Sequence, residues 1–242
     1  MTAIASTLTG IAKRMGVARP IKRWIQANVE TGFHSLSPDL LVAVVRAFEE
    51  QTDFEGRAFY EFGVFRGYSL WFAEQISRGR TPTTFQFHGF DSFEGLPETR
   101  VDARFFGRGD LTAGYNRVRD NLTRFGADWS RIQLHKGFYS DPFFAELSSR
   151  VTFDPVSIAV IDVVVYESCV PVLNFLGPRL VPGSILVFDD FNDMGRSDQH
   201  GERRAFKEYT DRTGLECEQI FELGFECVAF RVKTPPRLAS PA

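Results

Sequence analysis

Apolar residues change their period along this chain, and each change marks the edge of an element. The stretches Arg57–Glu61, Phe85–Phe90, Arg131–His135, Val156–Val163 and Ser184–Phe188 carry apolar residues without helical spacing. They read as strands, and Val156–Val163 is apolar almost throughout, as a strand covered on both faces should be. Between them the spacing turns helical. Leu40, Leu41, Val44, Val45 and Phe48 give a helix before the first strand, opened by Ser37-Pro38-Asp39 with its capping hydroxyl, first-turn proline and acid. Tyr68–Ile76, the set Tyr115, Val118, Leu122 and Phe125 ending at Gly126, Ser168–Leu176, and Gly201–Arg212 with Ala205, Phe206 and Tyr209 inward give the others. Glu216–Phe221 and Phe225–Val232 flank Leu223-Gly224 as a hairpin. The alternation predicts an α/β fold: a seven-stranded, mostly parallel sheet with helices on both faces and a C-terminal antiparallel hairpin.

Residues 34–233 then form one domain, with 234–242 a flexible tail. Residues 1–33 read as an N-terminal helical extension. Ile21, Trp24, Ile25 and Val29 have helical spacing, beside a basic patch of Lys13, Arg14, Arg19, Lys22 and Arg23. Such a segment packs on its own domain as a cap or on a second subunit of a homodimer. Pro97–Leu111 has neither period. It reads as a lid closing with Arg104, Phe105 and Phe106, or as a plain surface loop.

Candidate chemistry begins at the first strand. Strand, glycine turn, helix, strand and acid follow one another from Arg57 to Asp91, the order of a nucleotide-binding half-sheet. Gly63 and Gly67 allow close approach of backbone to a ligand. Asp91 suits a ribose diol. The spacing is E-x-G-x-x-x-G from Glu61, not the G-x-G-x-x-G that seats a pyrophosphate on a helix end. Two acids suit a cationic, phosphate-free nucleoside such as S-adenosylmethionine. The bland reading is an ordinary βαβ unit with turn glycines. An NAD-linked oxidoreductase lacks its glycine pattern here. After the third strand, Gly137 allows close approach on the adenine side, and Phe138 or Tyr139 either contacts the ring or packs in the core.

The fourth and fifth strands deliver Asp162, Asp189 and Asp190 to one rim. Carboxylates that close repel unless a cation or protons compensate, and oxygen-only ligands suit Mg²⁺. The alternative is that one or two cap helices or hold a cofactor amino group. His34 and His200 are the candidate general bases, with Asp162 as a further candidate catalytic group. His88 falls inside the second strand and His135 on the adenine side.

The run Phe90-Asp-Ser-Phe-Glu-Gly-Leu-Pro-Glu98 resembles a signature of the macrocin O-methyltransferase family. Those proteins are class I S-adenosylmethionine-dependent methyltransferases acting on sugar hydroxyls of natural products. Glu61–Ser69 (EFGVFRGYS) resembles the family's first cofactor motif, and His135–Asp141 (HKGFYSD) its segment after the third strand. Ile161–Ser168 and the stretch from Val181 to Phe191 resemble its metal-site strands. The resemblance runs from about His34 to about Val232. It implies a class I Rossmann-like fold and O-methyl transfer to a small hydroxylated acceptor, such as a glycosylated natural product. Cofactor contacts would come from Glu61, Gly63, Gly67, Ser69, Asp91, Ser92, Gly137 and Phe138. Mg²⁺ at Asp162, Asp189 and Asp190 would lower the hydroxyl pKa and orient it. One position departs: the family's second acid, two residues after the first, is Val164 here. Strand alternation would put 162 and 164 on one face. A metal-independent methyltransferase and a non-catalytic cofactor-binding relative therefore stay open.

Composition narrows the partners. The net charge of −3, without a block of one sign in the body, argues against a nucleic-acid partner. No run of about 18 apolar residues suggests a membrane span. Cys169, Cys217 and Cys227 show no C-x-x-C spacing, which suits a reduced, cytoplasmic protein.

Overall fold

The computed structural model describes residues 33–102 and 107–237. Residues 1–32 of the expected extension (1–33), the lid residues Arg104, Phe105 and Phe106, and the end of the tail lie outside them. Helix α1 (Pro38–Glu50) precedes strand β1 (Ala58–Phe62), α2 (Tyr68–Ser77), β2 (Gln86–Asp91), α3 (Tyr115–Arg124) and β3 (Ile132–Lys136). Then follow α4 (Asp141–Arg150), β4 (Val156–Ile161), α5 (Tyr166–Leu176), β5 (Ile185–Phe188), α6 (Gly201–Thr213), β6 (Glu216–Leu223) and β7 (Cys227–Thr234). The strand order is β3-β2-β1-β4-β5-β7-β6. β1 to β5 run parallel, and β7 lies antiparallel to both β5 and β6. The order reverses between β1 and β4, so a crevice opens there at the carboxyl ends of the strands.

Alternation along each strand splits the core in two. Phe59, Phe87, Ile158, Val160, Ile185 and Val187 face α1, α2 and α3. Tyr60, Phe62, Phe90, Ala159, Ile161, Leu186 and Phe188 face α4, α5 and α6. Much of the phenylalanine goes to the second layer. Phe62 stacks on Phe90 at 4.6 Å, and Phe144 on Phe175 at 4.4 Å between ring centroids. α4 shows only Phe144 and Leu147 buried, so its period is weak. It is declared instead by Ser140, whose hydroxyl accepts from Phe143 N–H at 3.2 Å, and by Pro142 in the first turn.

Two expectations change. β4 ends at Ile161, so strand alternation does not extend to Val164. There the chain makes a γ-turn: Val165 N–H donates to the Val163 carbonyl at 2.6 Å, with Val164 at φ 61°. A β-branched residue rarely adopts that conformation. The second change is at residues 99–102, which are tied down. Thr99 Oγ1 donates to Glu167 Oε2, and Arg100 and Val101 N–H donate to Glu167 Oε1. Asp102, fully buried, accepts from Tyr166 N–H at 2.8 Å.

The close passage of β1 and β4 rests on Gly63, at φ +92° with room for no side chain: a Cβ would lie 1.8 Å from the Asp162 carbonyl oxygen. Gly63→Ala is therefore expected to destabilise the fold by about 2 kcal/mol or more. Urea unfolding monitored by circular dichroism checks this, and an unchanged midpoint would refute it.

Candidate active site

A cavity of about 360 Å³ lies over the crevice, lined from both sides of the switch point by residues that include Gly63, Ser69, Asp91, Gly137, Asp162, Asp189 and Asp190. On the β1–β2 side the backbone is shaped around Asp91. Its Oδ2 accepts from Phe65 N–H at 2.8 Å and its Oδ1 from Phe93 N–H at 2.6 Å. Phe65 and Phe93 both have positive φ, 47° and 57°, a strain that this carboxylate offsets. Each oxygen keeps a further lone pair for a diol. Burial raises the proton affinity of Asp91, and those same N–H groups oppose the shift.

Glu61 lies behind this strip, fully buried. Its Oε1 accepts from Ser69 Oγ at 2.7 Å, while Oε2 has no hydrogen-bond partner. Burial pushes its pKa up to about 8, with the Ser69 bond opposing and the Asp91 charge adding. A buried acid with an orphaned oxygen, beside a second acid, fits a cationic group better than an anionic one. Ser92 is engaged in its own turn, donating to the Gly95 carbonyl at 2.7 Å and accepting from Glu94 N–H. Gly137 is needed by the core: a Cβ there would meet the Phe143 ring at 2.3 Å. Tyr139 is scaffold rather than ring contact. Its hydroxyl accepts from Gly63 N–H at 2.9 Å and donates to the Phe90 carbonyl at 2.7 Å. Phe138 is 40% exposed at the mouth.

Across the cavity, Asp162, Asp189 and Asp190 share one wall. Burial first, then Asp189, Asp190 and Glu202, push the Asp162 carboxyl well above its usual range. Asp190 rises for the same reason, with Asp189 and Asp193 as the charges. Asp189 reaches about 6, raised by burial and restrained by Ser37, whose hydroxyl donates to its Oδ1 at 2.9 Å. Among the described residues, no three His, Cys, Asp or Glu side chains converge as a metal-binding group. The donor chemistry of Asp162, Asp189 and Asp190 suits a hard cation.

The histidines separate. His34 lines the cavity, yet its Nε2 faces Arg66 Nη1 at 3.2 Å and its Nδ1 faces the Ser35 carbonyl at 3.1 Å. His200 is not among the lining residues. Its Nδ1 lies 3.0 Å from Asp102 Oδ1, joining the start of α6 to the 99–102 loop. His88 and His135 are buried against each other, 3.2 Å apart, with burial lowering both pKa values. His135 thus sits in the core, outside the cavity lining.

With this geometry in place, the family model for macrocin O-methyltransferase (TylF) matches residues 40–232. The chain belongs to that family. A tetracenomycin-C rhamnosyl 4′-O-methyltransferase of Streptomyces olivaceus is 30% identical over 139 residues, 54% of this chain and 51% of that protein. Mycinamicin III 3″-O-methyltransferase of Micromonospora griseorubida is 25% identical over 181 residues, 71% of this chain and 66% of that protein. The match thus spans between half and two thirds of these relatives' length. Among solved structures, the O-methyltransferase NovP aligns with a TM-score of 0.66 at 19% identity, covering 80% of this chain and 79% of that one. TomG of Streptomyces achromogenes, an O-methyltransferase in complex with S-adenosylmethionine, gives 0.56 at 15% identity, covering 89% and 90%. These likenesses show the class I methyltransferase fold.

Within this family member, Glu202 is a site residue that the linear pattern hides. Fully buried, it accepts Val163 N–H at 3.0 Å on Oε1 and Asp190 N–H at 3.2 Å on Oε2. It clamps the ends of β4 and β5. One signal was present: Glu202 shares the inward face of α6 with Ala205, Phe206 and Tyr209, at i, i+3, i+4 and i+7.

Glu61 makes stability depend on pH. Its folded pKa lies above its unfolded value, so the folded state holds the extra proton between them. Its contribution is full below about pH 4.5 and lost as pH rises through about 8. Glu61→Gln is expected to flatten the fall in stability between pH 5 and 8, by up to about 1.4 kcal/mol per pH unit. Unfolding free energies measured at several pH values check this; parallel curves for parent and variant would refute it.

Proposed function

We propose that this chain transfers the methyl group of S-adenosylmethionine to a hydroxyl of a sugar carried by a small natural product. The observation that carries the reading is the single cavity spanning the family's cofactor motifs and the acid wall of β4 and β5. The two relatives, both methyltransferases named for glycosylated natural products, support the acceptor class. S-Adenosylmethionine, when bound, supplies an electrophilic methyl on a sulfonium. We read Asp91 as the partner of the ribose diol, and Ser69, backed by the buried Glu61, as facing the cationic end.

The acceptor hydroxyl must be aligned and must lose its proton as the O–CH₃ bond forms and the S–CH₃ bond breaks. We assign both tasks to Asp162. It follows β4 directly, beside Gly63 and hence between the cofactor strip and the outer acids. Burial and the neighbouring acids raise its proton affinity, so that in its ionised form it is a stronger base than an ordinary carboxylate. Asp189, held by Ser37, would orient a second acceptor hydroxyl. His34 is committed to Arg66, and His200 to Asp102, which leaves the base role to Asp162. No step is routed through Mg²⁺; Asp162, Asp189 and Asp190 are the residues that would hold it, and it would supply Lewis-acid activation of the hydroxyl there.

Calorimetry with S-adenosylmethionine and transfer of its labelled methyl to a panel of rhamnosides and other glycosides test the reading. The parent should bind the cofactor and methylate at least one glycoside. Asp162→Asn should lower kcat about 100-fold or more while binding remains measurable. A parent that ignores S-adenosylmethionine would sink the proposal. Mn²⁺ titration followed by electron paramagnetic resonance reports the cation directly. Tight Mn²⁺ binding lost in Asp189→Ala would bring a metal into the mechanism, and no Mn²⁺ signal in the parent would favour the metal-free one.

A further inference from the structure

In the turn after β4 every N–H group from Val163 to Tyr166 is engaged. Val163 and Val164 N–H both donate to Glu202 Oε1, at 3.0 and 3.4 Å. Val165 N–H closes the γ-turn on the Val163 carbonyl, and Tyr166 N–H donates to Asp102 Oδ2 at 2.8 Å. Val164, at φ 61°, takes a conformation that β-branched residues avoid. Val165, the N-cap of α5, gives that helix no side-chain cap. Local preference therefore does not account for this turn. A strained conformation persists only where its surroundings over-determine it. Here they are two fully buried carboxylates from distant parts of the chain, Asp102 and Glu202. Glu202 lies in the first turn of α6. Gly201 before it lets that helix approach: a Cβ there would lie 3.0 Å from the Val164 carbonyl.

The turn begins one residue beyond Asp162, and Val163 and Val164 line the cavity with it. Asp162 N–H is held from the β1 side by the Phe62 carbonyl at 2.9 Å. Glu202 holds the chain on the other side and reaches further, since its Oε2 accepts from Asp190 N–H at 3.2 Å. One side chain thus fixes both the backbone that follows Asp162 and the backbone of Asp190. The β1–β2 strip has other supports: Asp91 takes Phe65 and Phe93 N–H, and Tyr139 takes Gly63 N–H.

We propose that Glu202 is a positioning residue for methyl transfer: it holds the strained turn after β4 so that the Asp162 carboxylate meets the acceptor hydroxyl. The inference rests on the methyl-transfer reading above, with Asp162 as the base. Glu202→Gln keeps the size of the side chain but turns one oxygen into an NH₂ that faces a backbone N–H. Either the β4 bond or the β5 bond is then lost. A reacting group displaced by about 1 Å can lower a rate about 100-fold. Cofactor affinity, set on the other strip, should not follow.

The test uses the full chain, calorimetry with S-adenosylmethionine, and kcat and KM with a glycoside that the parent methylates. Glu202→Gln should lower kcat about 10- to 100-fold and leave cofactor affinity within about twofold. A double-mutant cycle with Asp162→Asn separates positioning from a general loosening of the fold. If Glu202 acts through Asp162, Glu202→Gln should change the residual kcat of Asp162→Asn by less than about threefold. Should Glu202→Gln not fold, Asp102→Asn, which disturbs the far end of the same turn, takes its place in both measurements with the same expectations. An unchanged kcat, a cofactor affinity that falls in step with kcat, or equal effects in both backgrounds overturns this inference alone. A parent that methylates no glycoside overturns the methyl-transfer reading and this inference with it.

Discussion

Three strand ends are joined at Gly63. Its N–H is shared between the Phe90 carbonyl at the end of β2 and the Tyr139 hydroxyl, and its missing side chain lets the Asp162 carbonyl pass. The crevice of a parallel sheet opens where neighbouring crossovers go to opposite faces. Here that opening lies between β1 and β4, and the Gly63 contacts set how wide it is. Asp91, Asp162 and the turn leading into α2 take their places from this junction. A side chain at 63 would push apart the two sides of the cavity.

Charge is the second organising feature. Glu61, Asp162, Asp190 and Glu202 each have proton affinities raised first by burial. Collecting acids in a low-dielectric crevice is unfavourable for the empty protein and favourable for a cationic guest. The fold tolerates the arrangement because backbone N–H groups are aimed at several of these oxygens. Glu202 accepts from Val163 and Asp190, and Asp91 from Phe65 and Phe93. Strained residues sit at the same places. Phe65, Phe93 and Val164 all have positive φ, and a carboxylate accepts from the N–H of each. Binding capacity and backbone strain are thus concentrated at one edge of a rigid sheet.

That rigidity has an aromatic source. Phe62, Phe90, Phe144 and Phe175 stack or meet edge-on beneath the cavity floor. On the other face, Phe33 stacks on Phe125 at 4.5 Å and meets Tyr68 edge-on. Phe33 closes the expected N-terminal extension, yet it is fully buried in the domain. The chain immediately after it, His34 to Ser37, supplies cavity-lining residues. Packing of one aromatic residue therefore brings the segment before α1 to the site.

What the linear order settles is what nearest neighbours settle. Strand and helix periods, the Ser37 cap, the glycine turns and the acids at strand ends all follow from local geometry and from the need to bury apolar faces. The seven-stranded sheet was legible on those grounds, and so were the acids that line the two sides of the cavity. Local order could not decide which polar groups would pair. Ser37 meets Asp189 across 152 positions, and His200 meets Asp102 across 98. Tyr139 joins two strand ends that precede it by dozens of residues. Glu202 reads as one more charge on a charged helix until α6 is laid against the ends of β4 and β5. The turn at Val164 likewise escapes strand period because β4 stops at Ile161. Periodicity is a property of one element, whereas a hydrogen bond between distant elements exists only once their packing has fixed both ends.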